Sequence, residues 1–199
     1  MSALTATSKG AATRESIIDR AYEIARFSGV EGLSIGPLAQ AVGMSKSGVF
    51  AHFGSREDLQ LAVIESAAAR FAETVLVPAL SKPRGLPRLR AMMENWFEWI
   101  RRNAGGCVLM GAVTEYDDRP GPLRDQVVLN EQRWRDMLCR AIQLAIDAGQ
   151  LRAGDTRQYA FELYAFPLAV HHEAGLFGYE DARHRGEAAV ERWLAAHAP

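Results

Sequence analysis

Cysteine is scarce: the 199-residue chain has two, Cys107 and Cys139. Neither has a second Cys or a His at ligand spacing, which excludes the common zinc patterns and a disulfide framework and predicts a reducing, cytoplasmic setting. No apolar run approaches the roughly 20 residues that a membrane span needs, so no membrane partner is expected. Excess charge is missing too: 23 basic against 24 acidic residues leave a formal charge of -1. That excludes nonspecific coating of nucleic acid, so any DNA binding must come from a local patch. Residues 1–12 are rich in Ala, Ser and Thr without an apolar core, which fits neither signal peptide nor anchor. A flexible N-terminal arm carrying Lys9 is expected there.

Catalytic patterns are absent. There is no Gly-x-Ser-x-Gly, no phosphate-cradling glycine loop and no metal-spaced set of His, Asp and Glu. His171, His172 and Glu173 are adjacent on a helix and diverge by about 100° each, so they cannot share a metal. The reading is therefore no enzyme, no metal and no cofactor. Gly105-Gly106-Cys107 opens a short helix, where N–H groups favour a thiolate. A redox or electrophile sensor through Cys107 is an alternative to a small residue in a pocket wall.

The composition, 48% apolar and 24% charged, is that of an ordinary globular protein, and the periodicity is helical throughout. Apolar spacing predicts helices over 13–28, 56–76, 88–103, 106–116, 123–148, 158–178 and 181–197, with Pro78 ending the second of these and Pro167 kinking the sixth. The most informative stretch is residues 33–59. Leu38, Ala39 and Val42 line one helical face, Gly43 suits the left-handed residue past a helix end, and Ser45 caps a second helix burying Val49 and Phe53. Two short helices about a tight turn form a helix-turn-helix, whose second helix enters a DNA groove. Its outward residues, Lys46, Ser47, Gly48, Phe50, Ala51 and His52, include no acid, and none occurs between Ser34 and Arg56.

The run from Gly48 to Leu59, Gly-Val-Phe-Ala-His-Phe-Gly-Ser-Arg-Glu-Asp-Leu, closely resembles the pattern of the tetracycline-repressor (TetR/AcrR) family, with specific motifs covering residues 13–60. The resemblance implies that Phe50 and His52 touch DNA phosphates and that Arg56 starts the fourth helix against the backbone. The chain departs from the family in carrying Phe50 where Tyr is usual, and Ile35 and Gly36 where hydroxyl or basic residues are common. Together with the helical pattern, this gives DNA-contacting candidates Ser34, Ser45, Lys46, Ser47, Gly48, Phe50, His52 and Arg56.

The expected architecture is all-α: an arm (1–12), a three-helix helix-turn-helix DNA-binding domain (13–58) and a larger helical ligand-binding and dimerisation domain (59–199). Aromatic and Met residues beyond residue 90 exceed what a small helical core requires, and Met suits adaptable pockets. The resemblance implies a ligand pocket among the middle helices, with candidate walls Met92, Trp96, Met110, Tyr116, Trp134, Phe161 and Tyr164. Glu115, Asn95, Arg133 and His171 are candidate polar handles. The helix over 158–178 has no Lys or Arg and apolar residues on all sides, so it must be buried all round, most economically against a second copy. Pairing through the last two helices, implied by the resemblance, nominates Tyr159, Leu163, Phe166, Leu168, Val170, Leu176, Phe177 and Trp193. The expected function is a dimeric transcriptional repressor of double-stranded operator DNA, released by a small apolar or aromatic effector. A ligand-independent DNA-binding regulator is the other reading.

Overall fold

The computed structural model describes the backbone of residues 2–199 and the side chains of residues 10–199, and the chain is helical, with no strand among the described residues. Helix α1 spans Ser2–Ser28, α2 Ile35–Ala41, α3 Lys46–Phe53 and α4 Arg56–Phe71. A π turn over Ala72–Leu76 joins α4 to α5 (Val77–Leu80), followed by α6 Leu86–Arg102, α7 Val108–Tyr116, α8 Pro122–Asp147, α9 Thr156–Phe177 and α10 Tyr179–Ala196.

Two boundaries differ from the sequence reading for identifiable reasons. The first helix begins at Ser2 rather than Thr13, since the segment before Thr13 contains no proline and Ala, Ser and Thr tolerate helix; Lys9 lies outside the described side chains. Pro78 does not end the fourth helix. Its ring would strike the carbonyl four residues back, and the π turn before it widens the backbone so that Pro78 sits in the opening turn of α5. Pro167 is carried inside α9, which continues to Phe177.

Contacts group the chain into two compact units. One comprises the residues up to Ala69 together with Gly106–Val128; the other comprises Arg70–Gly105 and Leu129–Pro199. The sequence reading places a boundary at 58/59, whereas α7 and the first turns of α8 cluster with the helix-turn-helix. The core of the first unit contains Ile17, Ala21, Leu38, Val49, Phe53, Leu59 and Val63, joined by Val108, Ala112 and Tyr116 of α7 and Val127 of α8. In the second unit α9 and α10 pack closely on each other and both pack on α6. Gly186 of α10 permits that approach: a Cβ there would lie 2.3 Å from Val170.

Candidate functional site

The helix-turn-helix forms as its residues dictate. Leu38 and Ala39 of α2 are buried, Gly43 turns the chain at φ +67°, and the Ser45 hydroxyl accepts the Gly48 N–H at 3.1 Å, capping α3. Val49 and Phe53 point inward. Lys46, Ser47, Phe50 and Ala51 are exposed, and Gly48 and His52 half-buried. Ser34 is the exposed residue before α2 and its side chain makes no cap bond. Ser45 is committed to the cap and lies 3.1 Å from the Ser47 hydroxyl, so it shapes α3 more than it offers a free donor. Lys46 folds back over α2: a Cβ at Gly36 would lie 3.2 Å from its Cε and 3.6 Å from its Nζ. The glycine that leaves α2 without a side-chain donor thus makes room for the Lys46 ammonium.

Arg56, the first residue of α4, is bonded within the protein. Its Nε donates to the Leu33 carbonyl at 2.7 Å, and its Nη2 donates to the Glu31 carbonyl and lies 3.5 Å from the Glu31 carboxylate. These bonds tie α4 to the α1–α2 turn because the first residue of α4 faces the carbonyls of that turn. Gln60, buried one turn further, donates to the Val30 carbonyl at 2.8 Å. From α7 the Glu115 carboxylate accepts the Val30 N–H at 3.2 Å and the Glu31 N–H at 2.8 Å, and the Tyr116 hydroxyl donates to the Glu31 carboxylate at 3.1 Å. Burial first, then that carboxylate, pushes the Tyr116 hydroxyl above the ordinary tyrosine range.

Tyr116 and the half-buried Met110, both nominated as pocket walls, cluster with the first unit. Glu115, nominated as a ligand handle, holds the turn. Gly106 lets the chain run against α1: a Cβ there would lie 1.6 Å from the Arg26 carbonyl oxygen, a backbone contact that accounts for one of the two glycines. Cys107 is buried, which shields the sulfur that the sensor reading requires to be reachable.

In the second unit the structure brings Trp96, Trp134 and Tyr164 together and adds Phe71 and Trp99. Ring centroids lie 4.8 Å apart for Phe71–Trp134, 5.1 Å for Trp96–Trp134, 5.2 Å for Trp96–Tyr164 and 5.5 Å for Phe71–Trp99, all edge to face. Met92 is fully buried in the same unit. The Tyr164 hydroxyl donates to Glu131 at 2.7 Å, and the Arg135 guanidinium lies 4.0 Å over its ring. Burial, reinforced by Glu131, drives the Tyr164 hydroxyl above the usual tyrosine range. Phe161 does not join the cluster: it is 63% exposed. Of the nominated handles, Asn95 donates to the Val75 carbonyl at 3.0 Å, Arg133 is exposed, and burial lowers the half-buried His171 below the usual histidine range.

Helix α9 is not apolar without sides. Ala160, Leu163, Tyr164, Pro167 and Val170 face its own unit, and Leu163, Val170 and Trp193 are buried within the chain. Leu163 and Val170, seven residues apart, share the inward face of α9, and Trp193 lies on α10 against Tyr159, so all three are already buried in the single chain. Tyr159 packs edge to face on Trp193 at 5.2 Å, and Phe166 is half-buried. The outward face keeps Phe161, Leu168, Leu176 and Phe177 exposed, Phe177 by 74%.

The sequence reading missed Gln60, Phe71 and Glu131 as site-forming residues, and gave Glu115 a ligand-binding part rather than its bonds to the Val30 and Glu31 N–H groups. Phe71 was legible as a core position of α4; the others are polar residues whose partners lie far along the chain.

Two family models match the chain: "Bacterial regulatory proteins, tetR family" over residues 17–63 and "Tetracyclin repressor-like, C-terminal domain" over residues 85–190. The HTH-type transcriptional repressor AcnR of Corynebacterium efficiens is 33% identical over 90 residues, which are 44% of this chain and 45% of AcnR. The chain thus spans about half the length of the curated relatives it matches. Among solved structures, SCO4454, a TetR-family transcriptional regulator from Streptomyces coelicolor, superposes with a TM-score of 0.83 at 21% identity, over 94% of this chain and 96% of that one. AibR, solved in complex with isovaleryl coenzyme A and operator DNA, superposes at 0.71 with 22% identity, over 94% and 98%. These two likenesses show the fold.

Proposed function

The chain belongs to the tetR family of bacterial regulatory proteins, and we propose that it is a cytoplasmic, homodimeric repressor released from double-stranded operator DNA by a small apolar or aromatic effector. The observation that carries this reading is α3. It is capped by Ser45, anchored by Val49 and Phe53, and presents an acid-free outer face. Ser47, Gly48 and Ala51 face the bases, while Ser34, Lys46, Phe50 and His52 lie along the phosphates, where cations and donors fix register without reading sequence. The family is one of transcriptional regulators, and we assign the chain no enzymatic role. No described helix is long and apolar enough to cross a membrane.

The exposed face of α9 supplies the contact between copies, with Phe161 added to Leu168, Leu176 and Phe177. The ring cluster of the second unit receives the effector. AibR, whose structure holds both isovaleryl coenzyme A and operator DNA, supports an arrangement in which one such fold serves both ligands. Helix α4 carries Arg56 and Gln60 in its first two turns and ends at Phe71. An effector that parts the rings displaces Phe71, the last residue of α4, whose first turns carry Arg56 and Gln60. The coupling is reciprocal: DNA weakens effector binding by the factor, typically about 5- to 150-fold, by which effector weakens DNA binding.

The test is operator selection from genomic fragments followed by footprinting. Two protected half-sites with centres about 34–36 Å apart are expected. Undiminished binding after Lys46→Ala and His52→Ala together would overturn the assignment.

A further inference from the structure

The ring cluster contains an unspent donor. Trp134 is 9% exposed, its indole Nε1 is shut off from solvent, and that N–H has no hydrogen-bond partner among the described residues. A buried N–H without an acceptor is costly, and structures retain few of them. The Trp134 ring meets Phe71 and Trp96 edge to face, and an N–H aimed at a ring face is held far more weakly than one aimed at oxygen. The one hydroxyl of the cluster is taken, since Tyr164 already donates to Glu131. Charge is balanced at this edge, where Arg135 lies 3.5 Å from Glu131, and the five rings carry none.

From this we infer that the effector is an uncharged, largely apolar molecule with a carbonyl oxygen that accepts the Trp134 N–H, its apolar body intercalating among Phe71, Trp96 and Tyr164. The inference rests on the proposed effector site and specifies its chemistry. An anion finds no unpaired cation among the rings, and a pure hydrocarbon leaves the indole N–H unanswered. A carbonyl compound gains a bond that neither the anion nor the hydrocarbon can make.

The test uses the intact protein labelled with 15N in its indoles and two probes of matched shape, 1-indanone and its hydrocarbon counterpart indane. The Trp134 cross-peak is identified by its loss in Trp134→Phe. 1-Indanone is expected to move that resonance downfield saturably and to bind about fivefold tighter than indane, a preference that Trp134→Phe abolishes. Equal affinity for the two probes, or a 1-indanone titration that leaves the Trp134 resonance in place, overturns the inference. The affinity ratio on the unmodified protein stands even if the variant misfolds. Operator footprinting separates the two levels: protected half-sites without a carbonyl preference sink this inference alone, whereas no operator binding sinks the function it rests on.

Discussion

Glu115 and Gly29 fit each other as a hand fits a rail. The Glu115 carboxylate reaches from α7 to the N–H groups of Val30 and Glu31, and a Cβ at Gly29 would lie 2.0 Å from its Oε1. Gly29 also holds φ +73°, a conformation that favours glycine. Strain and clash therefore coincide at one residue. Gly29→Ala should lower stability by more than about 1 kcal/mol, and Glu115→Ala by about 1–2 kcal/mol through lost hydrogen bonds. Because Glu115→Ala removes the atoms that the new methyl would strike, the double variant should cost less than the sum of the two. Urea unfolding midpoints check this, and strict additivity would show that the carboxylate does not crowd the turn.

Lys46 and Arg56 should separate by assay. Lys46 lies over Gly36 with no acid paired to it among the described residues, whereas Arg56 is tied to Leu33 and Glu31. Lys46→Ala should weaken binding evenly across operator variants and reduce the salt slope by about 1. Arg56→Ala should act mainly on stability, lowering the unfolding midpoint by an amount corresponding to about 1–3 kcal/mol. A Lys46→Ala effect confined to particular operator bases would assign Lys46 to base reading instead.

Much of this was legible in the chain because it is local. The Gly43 turn, the Ser45 cap and the burial of Val49 and Phe53 all follow from residues within ten positions of one another. What was not legible is carried by long-range polar pairs. Arg56 presents the same sequence pattern whether it meets a phosphate or the Leu33 carbonyl 23 residues away. Glu115 and Val30 are 85 positions apart, and nothing in α7 marks its acid as a backbone clamp. The apolar surplus of α9 was visible, but which half of it faces inward depends on Gly186 admitting Val170, a fact of packing. Phe161 is exposed and Leu163 buried, although both carry large apolar side chains.

Acid stability should report the Glu98 cluster. Hydrogen bonding from Arg101 outweighs burial and, with Arg102, lowers the Glu98 carboxyl from 4.5 to about 2. A group depressed on folding contributes stability above its unfolded value and loses it as pH falls through its folded one. The contribution is thus complete above about 4.5 and lost towards about 2. The side chain is 26% exposed, so solvent screening leaves on the order of 1 kcal/mol. Glu98→Gln should make the fall in stability between these pH values shallower by that amount, read from urea midpoints at successive pH. An unchanged acid limb would mean that the ion pairs contribute nothing.

The two faces of α9 should respond oppositely to substitution. Leu168 and Leu176 are exposed in the single chain, whereas Leu163 is wholly buried in it. A charge at an outward position costs a lone protomer little but faces an identical charge across a twofold contact, where every substitution occurs twice. Leu168→Glu and Leu176→Glu should therefore yield folded monomers at micromolar concentration, with helix content and unfolding midpoint close to those of the dissociated parent. Operator affinity should collapse, since one half-site holds a single recognition helix. Leu163→Ala should instead leave the assembly intact and cost about 2–5 kcal/mol of stability through the cavity it opens. Sedimentation velocity and urea unfolding on the three variants decide the matter. A parent protein that sediments as a monomer, or outward Glu variants that remain dimers, would remove the α9 face from the interface.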